Sequence, residues 1–512
     1  MKASLFILLI SFIAICFFNS ANGDDIIQPS WRGNPRTTFQ EWTFDFDDSN
    51  PAFPEYINNP YGDAVAHIFV IYPAGAGWVD YLLRRTGVWA DLEAIDISID
   101  NINDPLGRKE VWIQVTYYLA ISAPPVINIP GGVFISGDDI EIEFDGLGAW
   151  MLRQEVWEIS PNPASEEINI TTNPAWGMVI DQIVVDTACF LPETEKPVIT
   201  DVARNSTGSL EVTWTSHANW TYAIEASTSP YDYDENNMTW EWIATGVPGA
   251  DFSTTWEDTN TLPLTGEKYY RVYAEGPIPL KADDTVGFML IRANIGRNMI
   301  SSPFEPYPVG GGTPGLSTLD KIVGNQLTGH NLNKTLSDNI EIWDNMLASY
   351  KRAWYKTGTT NAWQDWDVAG SPSFGMDSDK GYWFNIISGH PAKDIMFCGR
   401  VSKTSRSIPI SIGRNLVGSC FPVNCTLEKS GLVASGFTGH YLNKAFSDNV
   451  EFWNNTLETY ERFWYKTGTT NAWQPWNNGG PIRDIIPGDS IWVNVISGHN
   501  PFTWTYPVPP RP

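Results

Sequence analysis

Residues 328–366 read TGHNLNKTLSDNIEIWDNMLASYKRAWYKTGTTNAWQDW, and residues 438–476 read TGHYLNKAFSDNVEFWNNTLETYERFWYKTGTTNAWQPW. The offset is a constant 110, and 27 of the 39 aligned positions are identical. One structural module therefore occurs twice. Its Ser-Asp-Asn-Ile-Glu-Ile-Trp stretch alternates polar and apolar residues, as a strand with one buried face does. The likeness extends outward. Ile295–Phe304 matches Ile412–Phe421 at an offset of 117, and Tyr382–His390 matches Ile491–His499 at 109. The changes of offset belong in Gly- and Pro-rich connections such as Gly310–Gly315, where loops accept insertions.

The duplication supplies an internal control, because a site intrinsic to the module must appear in both copies. Two acids of the near-identical core pass, Asp338 with Asp448 and Glu341 with Glu451. Alternation sets Asp338 on the face of Ile340 and Ile342 and Glu341 on the opposite face with Trp343. Such a pair cannot converge on one glycosidic bond, which needs carboxyls roughly 5–10 Å apart across the substrate. Four histidines are paired, His330 with His440 and His390 with His499, each following a glycine. They are read as turn caps or, with Asp338, as candidate metal ligands. Asp377-Ser-Asp-Lys-Gly381 has part of a calcium-loop pattern, but Ile486-Pro-Gly-Asp-Ser490 replaces it in the second copy.

Five tryptophan pairs are shared. Most are expected in the core, where large rings remove much apolar area from water. Trp363 and Trp366, with Trp473 and Trp476, follow a turn-like Thr-Gly-Thr-Thr-Asn stretch among amides. Core packing is weighed first for them, with stacking on sugar rings as the functional alternative. No GxSxG, HExxH, CxxC or phosphate-loop motif is present. No cofactor is expected.

The remainder of the chain bounds where this module works. Lys2, an apolar run from Leu5 to Phe18 and Ala21-Asn22-Gly23 read as a secretory signal peptide spanning 1–23. No other stretch is long and apolar enough for a membrane span. The 32 basic and 59 acidic residues give a net charge of −27. Such a chain repels nucleic acid. Export, an extracellular or cell-surface location and no membrane insertion are therefore expected. Cys420 and Cys425 bracket a short loop, so a local disulfide between them is a possible addition to the second copy.

Abundant Trp, Tyr, Thr, Val, Ile, Gly and Pro favour strands and turns. Residues 94–100, 110–116 and 139–144 alternate as half-buried antiparallel strands, and a short helix or loop is expected at 78–85. Met178–Asp186 resembles the closing strand of jelly-roll sandwiches that bind carbohydrate, which implies a jelly-roll-like β-sandwich over 24–192. After the linker Leu191–Pro197, the stretches Leu210-Glu-Val-Thr-Trp214, Tyr222–Ser227 and Lys268-Tyr-Tyr-Arg-Val-Tyr273 resemble a fibronectin type III domain over 193–277. That likeness implies a core filled by Trp214 with Tyr270 or Val272. The repeats occupy 278–400 and 401–512. They resemble a Trp-rich β-module found in tandem in large exported bacterial proteins of unassigned function.

The expectation is an all-β, multidomain chain of four modules in a row, acting as a non-enzymatic extracellular binding or surface-assembly protein. A glycan is the leading ligand and a surface protein the other partner considered. An extracellular polysaccharide hydrolase with the first sandwich as its catalytic domain is the alternative, and a structural sheath or filament subunit the third.

Overall fold

The computed structural model describes all residues except 1–26, 46–48, 72–76, 120–123, 145, 173–176, 232–239, 260–265, 308–318, 359–361, 469–471, 478–480 and 509–512. The segment 1–23 expected to be a signal peptide and the Gly310–Gly315 stretch expected to hold the insertion lie outside the described residues. The chain is all-β, built from several antiparallel sheets. It forms two compact units, residues 1–196 with 274–280, and residues 197–273 with 281–512.

The first unit is a β-sandwich joined at one long strand. Met178–Phe190, buried along its whole length, pairs with Arg85–Asp100 as far as Ile180. After a register shift it continues between Thr37–Trp42 and Arg108–Leu119. Arg85–Asp100 in turn pairs with Ala64–Val70 and Ser165–Thr171. The alternating isoleucines 95, 97 and 99 meet Ile113, Val115, Ile168, Ile170 and Ile183 in one core. Two expectations need correction. Residues 78–85 hold no helix: Trp78–Leu82 is a strand folded back on Arg85–Asp100. Residues 139–144 lie in Gly132–Phe144, which pairs only along Ala149–Ile159 among the described residues and is largely exposed.

In the second unit, Ile199–Arg204, Leu210–Ser216 and Phe252–Asp258 form a three-stranded sheet. A further sheet runs Glu241–Pro248, Thr221–Ser227, Glu267–Ala274, Val286–Ala293, Lys393–Arg400. Trp214, Tyr270 and Val272 are all fully buried, with Trp214 packed 5.6 Å from the ring of Tyr222. This sheet does not stop at residue 277, because its last two strands open and close the first repeat module. The reason lies in how the module is built. Its first and last strands pair with each other, Ile291 opposite Ile395, and the second module repeats this with Ile408 opposite Trp504. In the first module the early part of that ladder also pairs with Glu267–Tyr270.

Each module adds a five-stranded sheet. The first runs Gly296–Ile300, Tyr382–Ile386, Asn339–Asp344, Ser349–Lys356, Ala362–Asp365, and the second Gly413–Gly418, Ser490–Val495, Asn449–Asn454, Thr459–Lys466, Ala472–Pro475. One face of each sheet is core, carrying Ile340, Ala353, Tyr355, Trp363 and Phe384 in the first and Val450, Phe463, Trp473 and Val493 in the second.

The modules meet reciprocally rather than in a row. The Trp343 indole N–H donates to the Arg414 carbonyl at 3.0 Å, and Trp453 donates to the Arg297 carbonyl at 2.8 Å. Ile300 bridges to Asp489, and Val417 bridges to Lys380. Each contact recurs with the modules exchanged, which is the mark of a two-fold, isologous interface. Met299, Trp383, Leu416 and Trp492 fill its centre.

Candidate functional site

The outer face of each module sheet follows from strand alternation and register. In the second module, Arg414 stands opposite Asn494, Asn494 opposite Asn449, and Asn449 opposite Trp464, which faces Gln474. The next row holds Leu416, Trp492, Glu451 and Arg462. A third pairs Trp453 with Tyr460. The first module carries Arg297, Asn385, Asn339, Trp354 and Gln364, then Met299, Trp383, Glu341 and Arg352, then Trp343 with Tyr350. Ten of the eleven positions are identical, the exception being Leu416 for Met299.

The interactions on this face also occur twice. Glu451 is buried and spans two guanidiniums, Oε2 to Arg414 at 2.6 Å and Oε1 to Arg462. Glu341 spans Arg297 at 2.7 Å and Arg352 in the same way. Arg414 lies 4.3 Å over the Trp492 ring and Arg297 4.2 Å over Trp383, a cation–π contact. Asn494 donates to Asn449 at 2.8 Å, and Asn385 to Asn339 at 2.7 Å. The glutamates hold the arginines in place, and with both oxygens engaged neither is poised as a nucleophile. The arginines remain 37–46 % exposed. In the second module Arg414, Asn449, Glu451, Tyr460, Arg462 and Asn494 line an open cavity of about 460 Å³. Burial raises the Tyr350 phenol pKa, and Arg297 together with Arg414 of the other module opposes the shift. The two outer faces thus adjoin across the two-fold.

The aromatic candidates separate by face. Trp363 and Trp473 are 0 % and 2 % exposed and belong to the core, so neither is a sugar platform. Strand alternation turns them inward, and the Trp363 indole donates to the Gly324 carbonyl at 3.0 Å. Trp366 and Trp476 are half-buried and continue the outer face. Each carries an arginine at 4.8 Å from its ring, Arg352 and Arg462 respectively.

The paired histidines do not come together. His330 Nδ1 accepts from the backbone N–H groups of Leu332 and Asn333, and His440 does the same for Leu442 and Asn443, so both are turn caps. His390 and His499 instead meet Asp338 and Asp448, at 2.8 and 2.7 Å. Each aspartate also accepts two backbone N–H groups, Thr328 and Ile387 in the first module, Thr438 and Ile496 in the second. These carboxylates pin loops together. Among the described residues no group of three or more His, Cys, Asp or Glu is arranged to hold a metal. Cys420 and Cys425 are buried free thiols, each turned to a nearby carbonyl, so the bridge considered between them is not formed.

A second cavity, about 500 Å³, is lined by Glu305, Asp377, Asp379, Arg400 and Arg406. Burial and Asp379 push the Asp377 carboxyl up to about 6. The Glu305 carboxyl is lowered: Ser402, Arg406 and Arg400 together outweigh the desolvation that would raise it. Pro422 and Ile486 replace Glu305 and Asp377 in the second module, so this site is not intrinsic to the repeat.

Sequence reasoning identified Glu341 with Glu451, and Trp366 with Trp476, but missed their arginine and asparagine neighbours. The shared Ile-Gly-Arg-Asn and Trp-x-Asn-x-Ile-Ser-Gly-His segments held that signal, since both contribute one outward polar residue per copy. No family model, curated protein or solved structure matches this chain.

Proposed function

We propose that this protein is an exported, non-enzymatic binding protein whose two outer module faces each take a saccharide bearing carboxylate or sulfate groups. The observation that carries this reading is the recurrence in both copies of one constellation, Arg–Asn–Asn with Arg–Glu–Arg and a tyrosine, whose arginines stay exposed above a buried glutamate. Amides and guanidiniums are the donors that hydroxyl-rich ligands need, and a guanidinium fork matches a carboxylate or sulfate in two-point geometry. Each Arg–Glu–Arg group carries a local charge of +1 on a chain whose net charge is −27, which favours an anionic group at that spot. The half-buried Trp366 and Trp476 rings border the same faces.

The test is binding of the full chain to immobilised polygalacturonate and chondroitin sulfate, with xylan and cellulose as neutral arms. Arg414→Gln and Arg462→Gln are expected to weaken retention on the acidic arms by roughly tenfold or more each, the size of a lost charge-assisted hydrogen bond. Absence of binding to every arm would overturn the proposal.

A hydrolase remains the second reading, and its supporting observation is the Glu305–Asp377 cavity rather than the first sandwich. Carboxyls pushed in opposite directions are what acid–base chemistry requires. Polysaccharide turnover abolished by Asp377→Asn would favour it. Propagation into a filament draws no support from the repeat, since an isologous contact closes on itself.

A further inference from the structure

The first sandwich buries a group of side chains that no binding role uses. Lys109, the second residue of Arg108–Leu119, and Glu166, the second of Ser165–Thr171, are both 0 % exposed, with Nζ 3.2 Å from Oε1. Asn101 follows Arg85–Asp100 and is 7 % exposed. Its Oδ1 lies 2.5 Å from Lys109 Nζ. The amide is fixed in that orientation, because its Nδ2 donates to Asn162 Oδ1 at 2.7 Å and to the Pro163 carbonyl at 2.8 Å, while Oδ1 also accepts from the Ile102 N–H at 2.8 Å. The amide carbon is one C=O bond, about 1.2 Å, behind that oxygen.

We propose that Lys109 and Asn101 join covalently inside the folded sandwich, with Glu166 relaying the proton. The Lys109 Nζ lone pair attacks Asn101 Cγ. Glu166, as the acid, gives its proton toward Nδ2, which leaves as ammonia, and takes one back from the attacking nitrogen. The Nζ–Cγ bond forms, the Cγ–Nδ2 bond breaks, Glu166 ends as it began, and nothing is oxidised or reduced. An amine and an amide are unreactive toward each other in water. Here the fold supplies what the exchange lacks. It holds the partners at contact distance, which is worth a large effective concentration, and it excludes water.

Burial also sets the protonation states. Desolvation lowers the Lys109 pKa and raises that of Glu166, each against the attraction of the other. The buried pair is thereby driven from ammonium and carboxylate toward neutral amine and carboxylic acid, since an uncompensated cost of burying two charges is avoided by proton transfer. Those are the nucleophile and the proton donor that the step requires. Loss of ammonia to solvent draws the exchange to completion.

The experiment is intact mass measurement of the denatured full chain, corrected for its observed N-terminus, followed by tryptic mapping. The bond removes about 17 Da, the mass of ammonia. It leaves peptides 86–108 and 109–153 linked and Lys109 uncut. Lys109→Met is expected to restore the full sequence mass. Glu166→Gln, checked for folding by circular dichroism, is expected to do so while keeping the native spectrum. Full sequence mass with free peptide 110–153 from natively folded protein would overturn the proposal. A linked Glu166→Gln protein would overturn the part given to Glu166.

Discussion

Substituting Trp343 or Trp453 should cost the same, because the two-fold makes them one residue seen twice. Trp343 donates one hydrogen bond, to the Arg414 carbonyl at 3.0 Å, and its ring meets Tyr350 at 5.0 Å and Trp492 at 5.7 Å. Trp453 donates at 2.8 Å and meets Tyr460 at 5.0 Å and Trp383 at 5.3 Å. The hydrogen bond contributes about 1 kcal/mol and each edge-on ring pair about 0.5–1.5 kcal/mol. Trp343→Phe should therefore destabilise by about 1 kcal/mol, the hydrogen bond alone. Trp343→Ala should cost about 3 kcal/mol, the low end for a large aromatic, since the ring is only half-buried. Trp453→Phe and Trp453→Ala should match their counterparts within about 0.5 kcal/mol. The double alanine variant should cost at least about 1 kcal/mol less than the sum, because the first loss already loosens the contact the second would break. Urea unfolding of the full chain, read by near-ultraviolet circular dichroism, measures all of these. Single alanine costs below about 1 kcal/mol, or unequal costs that add without coupling, would refute the two-fold reading.

Three further outcomes are expected. Trp363→Ala and Trp473→Ala should each cost about 3–5 kcal/mol in the same urea assay, as for a filled core position, whereas Trp366→Ala and Trp476→Ala should chiefly reduce retention on the acidic polysaccharides. Because burial and Asp379 raise the folded Asp377 carboxyl to about 6, well above the ordinary 3.8, the folded state between those values holds a proton that the unfolded state has lost. Its contribution therefore favours folding below pH 4 and is lost as pH rises through 6, so Asp377→Asn should raise the urea midpoint at pH 7.5 and barely change it at pH 4, measured by unfolding at the two pH values about one carboxyl apart in titration. Alkylation in denaturant without reductant should label Cys189, Cys398, Cys420 and Cys425 alike, read by intact mass; a pair protected until reduced would contradict the free thiols.

Strand positions were legible wherever one face is buried and the other wet. Residues 94–100 alternate because Ile95, Ile97 and Ile99 enter a core while Asp96 and Ser98 do not, whereas in 110–116 Ile113 and Val115 enter that core but Gln114 and Thr116 are buried too, so the half-buried expectation fails there. Residues 139–144 alternate as well but belong to a largely exposed strand, since periodicity reports which residues share a face and not what covers it. The same limit applied to Trp363 and Trp366. Trp363 lies on the strand Ala362–Asp365 and Trp366 just past its end, three positions on and so on the opposite side, yet the composition around them does not say which side is core. The reciprocal packing of the modules was illegible, because no local pattern in Trp343 or Trp453 names a partner about a hundred residues away. The buried Lys109 was missed for a related reason. Asn101 reaches it from the end of the preceding strand, and Glu166 from a strand that does not pair with its own, so no local pattern joins the three.

The two-fold between the modules bears on how a polymer could lie across them. A polysaccharide strand has a direction, from one chemically distinct end to the other. Passing straight over both outer faces, it would meet the second with its polarity reversed and present mismatched hydroxyls there. Under the function proposed above, twin faces arranged this way suit two strands running in opposite senses, which is the geometry of a crosslinking point in a gel rather than of a clasp along one filament.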